Sequence, residues 1–152
     1  MDVMGAGLIY IADIGVAAAK KQFNKKLDEK KARAALSDYM ERQKKYNFNC
    51  SKDEEIDFEG LSKYIRDELL DDVTIRLFGE KSEREAARQT IAEKAALYAQ
   101  ANTSLSQKRA RQLTFEAIDI LSRMFRKKIP KELLSVANEI EDTITSEMTE
   151  QH

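Results

Sequence analysis

Few side chains in this sequence could do chemistry by themselves. There is one histidine, His152, at the end of the sequence, and one cysteine, Cys50, between Asn49 and Ser51. Serine–histidine and cysteine–histidine catalysis need an imidazole held by its neighbours, and a terminal residue is badly placed for that. Zinc sites want several Cys or His ligands, which the sequence cannot assemble. Cys50 precedes a predicted helix, where a thiol gains thiolate character; an ordinary loop or partly buried thiol is the plainer reading. Asp53-Glu54-Glu55-Ile56-Asp57-Phe58-Glu59-Gly60 has the composition of a calcium loop, but its glycine is misplaced and its oxygen ligands do not alternate. Carboxylates at a helix start account for it better. Gly5-Ala6-Gly7 is a fragment of a dinucleotide fingerprint with no strand before it, and no G-x-x-x-x-G-K-[ST] loop occurs. Among 27 acidic residues no pair stands out as acid and base. No catalytic, cofactor or metal residue is assigned, and the chain is read as non-enzymatic.

What remains is helical periodicity. Charged residues make up 35% of the 152 positions, above the ordinary quarter, and five glycines with one proline leave little for tight turns. A β-sandwich or barrel would need more of both. A first helix is expected from about Val3 to Ala19, apolar on most of its circumference, hence central or buried against a partner. Lys20 to Tyr46 continues helical, with Phe23, Leu27 and Ala34 on one stripe and Leu36 and Met40 nearly opposite. With no breaker between them, these two segments could form one rod. Ser51-Lys52-Asp53-Glu54 reads as a capping box, followed by Phe58, Leu61, Ile65 and Leu69 at helical spacing. A short helix, Val73 to Phe78, is expected to close on Gly79 in a left-handed cap. Ser82 to Glu85 reads as another capping box, opening a helix with Ile91, Ala95 and Tyr98 on its face. Ser104-Leu105-Ser106-Gln107 opens the next, which carries Leu113, Ala117, Ile120, Leu121 and Met124 and stops at Ile129-Pro130. A last helix carries Leu133, Leu134, Ala137, Ile140 and Ile144.

Charge is distributed in blocks. Residues 20–45 hold ten basic and four acidic side chains, and residues 51–72 hold three and nine. Residues 108–131 hold eight and two, and residues 132–150 hold none and six. The blocks cancel to a net charge of −1, so the molecule as a whole exerts no strong field on nucleic acid. Neighbouring antiparallel helices pairing opposite charges would explain the alternation, and so would a positive face of one copy meeting a negative face of the next. Lys20, Lys21, Lys25, Lys26, Lys30 and Lys31 spread around the helix instead of forming a phosphate-tracking stripe, which argues against nucleic acid.

The segment Glu55-Ile56-Asp57-Phe58-Glu59-Gly60-Leu61-Ser62-Lys63-Tyr64-Ile65, then Leu77-Phe78-Gly79, then Ala137-Asn138-Glu139-Ile140-Glu141-Asp142-Thr143-Ile144 resembles the helical N-terminal domains that precede the ATPase core in bacterial STAND proteins, including NACHT-type defence proteins. The likeness runs from about Lys20 onward. It implies a regulatory or effector-recruiting module in antiviral signalling, with the nucleotide motifs in a region beyond this chain.

The expectation is an all-α protein: one compact bundle of five to seven helices over residues 1–152, forming the N-terminal part of a longer cytoplasmic protein. The lone cysteine fits a reducing compartment. Its expected role is protein interaction or self-association, with no cofactor. The expected contact surface is Leu8, Ile11 and Ile14 on the first helix together with Lys108, Arg109 and Arg111. The rival roles are a membrane-active effector that releases its N-terminal helix and a nucleic-acid-binding domain.

Overall fold

The computed structural model describes residues 3–23, 29–42, 48 and 50–126. Six helices account for nearly all of them: α1 (Val3–Phe23), α2 (Glu29–Arg42), α3 (Lys52–Glu68), α4 (Leu70–Phe78), α5 (Lys81–Asn102) and α6 (Gln107–Arg126). The expected all-α bundle is what forms. α1 stands at its middle, packed against α2, α3, α4 and α6. Leu8, Ile11, Ala12, Ile14, Val16, Ala18 and Ala19 are all buried. A helix with neighbours on several sides has little need of a polar face, which is why α1 is apolar almost all round.

Two glycines of α1 admit close neighbours. A Cβ at Gly15 would lie 2.6 Å from Leu121 Cδ2, and one at Gly7 would lie 2.7 Å from Phe48 Cδ1. Gly15→Ala would recover up to about 1 kcal/mol of helix propensity while displacing Leu121, so the two effects oppose. Gly15→Val adds bulk without that gain and is expected to cost about 1–3 kcal/mol through overpacking. The measurement is the urea midpoint, and an unchanged midpoint would refute the tight α1–α6 contact.

The single-rod alternative is excluded. Asp13 of α1 forms an ion pair with Arg33 of α2. In one straight helix those residues would be about 30 Å apart, so α2 folds back along α1. The buried stripe of α2 is Ala32, Leu36 and Met40, while Ala34 is exposed. Leu36 and Met40 share a face as expected, while the expectation that Ala34 belongs to a buried stripe is corrected. The fold-back turns the i, i+4, i+8 row of Ala32, Leu36 and Met40 toward α1, and Ala34 falls on the other side. Leu27 lies outside the described residues.

The capping box at Ser51 forms: the Glu54 N–H donates to Ser51 Oγ and the Ser51 N–H to Glu54 Oε1, both at 3.2 Å. Phe58, Leu61, Ile65 and Leu69 are buried as their spacing predicts. Gly79 ends α4, but in extended backbone (φ −80°, ψ −177°) rather than a left-handed cap. Its N–H donates to the Ile75 carbonyl at 2.8 Å. A Cβ there would stand 2.6 Å from that same oxygen, so close approach is what requires glycine.

The Ser82 box does not form. α5 begins at Lys81 with Glu80 as its N-cap, which leaves Ser82 already inside the helix. Glu85 instead accepts from Gln89 and Arg88. Ser106 opens α6 by accepting from the Arg109 N–H at 3.1 Å. Ile91 and Ala95 of α5 are buried with Ala92, Ala96 and Ala99, and these small side chains let α5 sit close to its neighbours. Leu113, Ala117, Ile120, Leu121 and Met124 of α6 complete the core. The expected stop at Ile129-Pro130 and the last helix fall outside the described residues. No helix among the described residues is long and apolar enough to cross a membrane.

Candidate functional site

Among the described residues, two clusters of ionised side chains tie α3 to α6 and join α4, α5 and α6. At the α3–α6 corner, Arg109 Nε donates to Glu54 Oε2 at 2.5 Å and Nη2 to Oε1 at 3.4 Å. Glu54 therefore caps its own helix and holds α6. The Arg109 hydrogen bond, aided by those from Ser51, keeps the Glu54 carboxyl below its usual range against the opposing effect of burial. Cys50 lies beside this corner with only 4% of its surface exposed. Burial first, and the Glu54 and Glu55 carboxylates next, push its thiol up to about 11. That is the opposite of the activated thiol that a helix start could have produced.

A group whose folded pKa is depressed contributes stability above its unfolded pKa and loses it as pH falls through the folded value. Glu54→Gln keeps the shape of the capping residue but removes the charge. The variant is expected to be less stable than the parent at neutral pH by on the order of 1 kcal/mol. The difference should close as pH falls below the ordinary glutamate range. Thermal melts of both proteins across acid pH measure it, and a gap independent of pH would show that the ion pair contributes nothing.

The second cluster joins α4, α5 and α6. Arg88 Nε and Nη2 donate to the two carboxylate oxygens of Asp119 at 2.8 and 2.9 Å. Arg76 Nη2 approaches the same carboxylate at 3.7 Å. The Arg88 guanidinium also stands 4.2 Å from the centroid of the Phe115 ring. The Asp119 hydrogen bonds raise the Arg88 pKa, against burial, which lowers it. The sequence does not single out this group, because Arg88 and Asp119 are 31 residues apart. A faint signal was present: Asp119 is one of two acids in an otherwise basic stretch.

The expected contact residues divide. Leu8, Ile11 and Ile14 lie in the core rather than on the surface. The basic run Lys108-Arg109-Ala110-Arg111 turns through the helix, so its members point different ways: Lys108 is exposed, Arg111 is half-buried, Ala110 is buried, and Arg109 is committed to Glu54. The six residues do not form one surface. The alternating charge blocks do meet inside the molecule. Lys21 of the first block reaches Asp71 of the second at 2.8 Å, and Arg109 of the third reaches Glu54 of the second.

Among the described residues, three large apolar side chains face solvent: Ile56 at 68%, Leu97 at 62% and Ile9 at 38% exposure. Beside Leu97, Tyr98 stacks on Tyr64 of α3 with ring centroids 4.2 Å apart and planes 8° from parallel. Ile56 sits two residues before Phe58 and therefore off the buried stripe, a signal legible in the spacing. No family model, curated protein or solved structure matches this chain.

Proposed function

We propose that this chain is a non-enzymatic protein-interaction and oligomerisation domain, and that its contacts run through the outer helix faces rather than through the apolar side of α1. The observation that carries this reading is the exposure of Ile56 and Leu97 on a bundle whose other described large apolar side chains are mostly well covered. Isoleucine and leucine in water at that exposure gain from burial by a partner, at about 25 cal/mol per Å² of apolar surface covered. The resemblance to the helical domains of STAND and NACHT-type proteins supports a finer role, a regulatory or effector-recruiting module in cytoplasmic antiviral signalling.

Light scattering of the full chain across a wide concentration range tests the proposal, alongside Ile56→Glu and Leu97→Glu. Assembly beyond the monomer that either variant weakens supports it. A monomer at every concentration overturns it. The rival membrane-active role requires α1 to leave the core, where Leu8, Ile11 and Ile14 are covered. Leakage of anionic liposomes on addition of the full chain would favour that role instead.

A further inference from the structure

The outer face of α2 carries its charges in an order that a second copy, turned end for end, would match. Among the described helices α2 packs only on α1, through Ala32, Leu36 and Met40. Its opposite side is exposed and presents Lys30, Lys31, Ala34, Asp38 and Glu41. Lys30 and Glu41 lie within about 20° of one line along the helix, three turns or about 16 Å apart. Ala34 lies between them on nearly the same line.

Lys30 and Lys31 stand toward the amino-terminal end of this face, and Asp38 and Glu41 toward its carboxyl-terminal end. The positions three and four residues inward from Lys30 and Glu41 hold Arg33, Ala34, Asp38 and Ser37, none of opposite sign to the residue it neighbours.

The geometry points to an antiparallel, two-fold pairing of α2 with α2 of a second copy, in which Lys30 faces Glu41 of the second copy and Glu41 faces its Lys30. The contact is isologous, so each favourable pair occurs twice. Ala34 then falls opposite Ser37 of the second copy, and two small side chains at the crossing let the axes approach. The Lys30 end of each α2 thereby meets the Glu41 end of the other. One helix pair is small beside the about 1,200–2,000 Å² of a stable specific interface, so the dimer is weak, concentration-dependent and loosened by salt. This inference rests on the interaction-domain reading and names the surface it uses.

The test is sedimentation equilibrium of the full chain with Lys30→Glu and Glu41→Lys, both changes being on an exposed face and their folding checked by circular dichroism. Either variant alone places like charges at both symmetric contacts, and its dissociation constant is expected to rise about tenfold or more. Mixed one to one, the two variants restore opposite charges at both contacts and should associate as the parent does. Recovery on mixing would establish the antiparallel pairing. Variants that associate like the parent overturn it while leaving the interaction reading intact, as does association lost in Ile56→Glu but not in Lys30→Glu. Variants that shift only the melting temperature of a monomer also overturn it, since this face would then be covered by the chain's own residues. A parent that never associates removes both the pairing and the broader reading.

Discussion

Phe58→Ala is expected to lower the free energy of unfolding by about 3–5 kcal/mol. Phe58 is fully buried on α3. Its ring centroid lies 5.1 Å from that of Phe48 and 6.0 Å from that of Tyr10, the latter in an edge contact. One side chain therefore joins α1, α3 and the segment between α2 and α3. Truncation leaves a cavity that three different pieces of chain would have to collapse to fill. Domains of this size are stable by only about 5–15 kcal/mol, so the variant should sit near the edge of folding. Ile56→Ala, two residues away on the exposed side, should stay within about 0.5 kcal/mol of the parent. Urea denaturation of both measures the contrast. Similar midpoints would mean that α3 is not seated on α1 in the way described.

Ile11→Ala is the second large effect, expected at about 2–5 kcal/mol. Ile11 is fully buried on the central helix, whereas Ile9, two positions before it, keeps 38% of its surface in water. Ile9→Ala should therefore cost clearly less, about 1 kcal/mol or below, since only part of its surface is withdrawn from solvent. The pair distinguishes a core helix from a contact helix. If Leu8, Ile11 and Ile14 served a partner instead of the bundle, Ile11→Ala would leave the isolated chain almost as stable as the parent.

The helices α3 and α6 were largely legible in the sequence. Phe58, Leu61, Ile65 and Leu69, and likewise Leu113, Ala117, Ile120, Leu121 and Met124, repeat every three or four residues and occur where the core needs them. The α2 stripe was legible only in part: Leu36 and Met40 stood out as a second face, but Ala32 did not, because Phe23, Leu27 and Ala34 form a competing stripe in a stretch rich in charge. Only the fold-back of α2 on α1 decides between them, and periodicity carries no information on that. Caps divided in the same way. Ser51 met both requirements of its box, whereas Ser82 matched the pattern but lies one residue inside α5.

The candidate surface was harder to read for a related reason. The sign of each charge block is visible in sequence, but which charges become committed to partners is set by contacts between residues 31 to 55 positions apart. Arg109 looked like surface and proved to be a strut. Leu97 was hidden by its neighbours, since an apolar residue beside Ala95, Ala96 and Tyr98 does not announce that it points outward.

Cys50 gives the bundle a built-in reporter. It is the sole thiol in the sequence, almost wholly covered, and held protonated at neutral pH. A maleimide or disulfide reagent can reach it only in moments when the neighbouring helices part, so the labelling rate times those excursions. A trigger that pries the amino-terminal segment loose should quicken labelling by orders of magnitude, whereas one that merely recruits a companion to the outside should leave it slow.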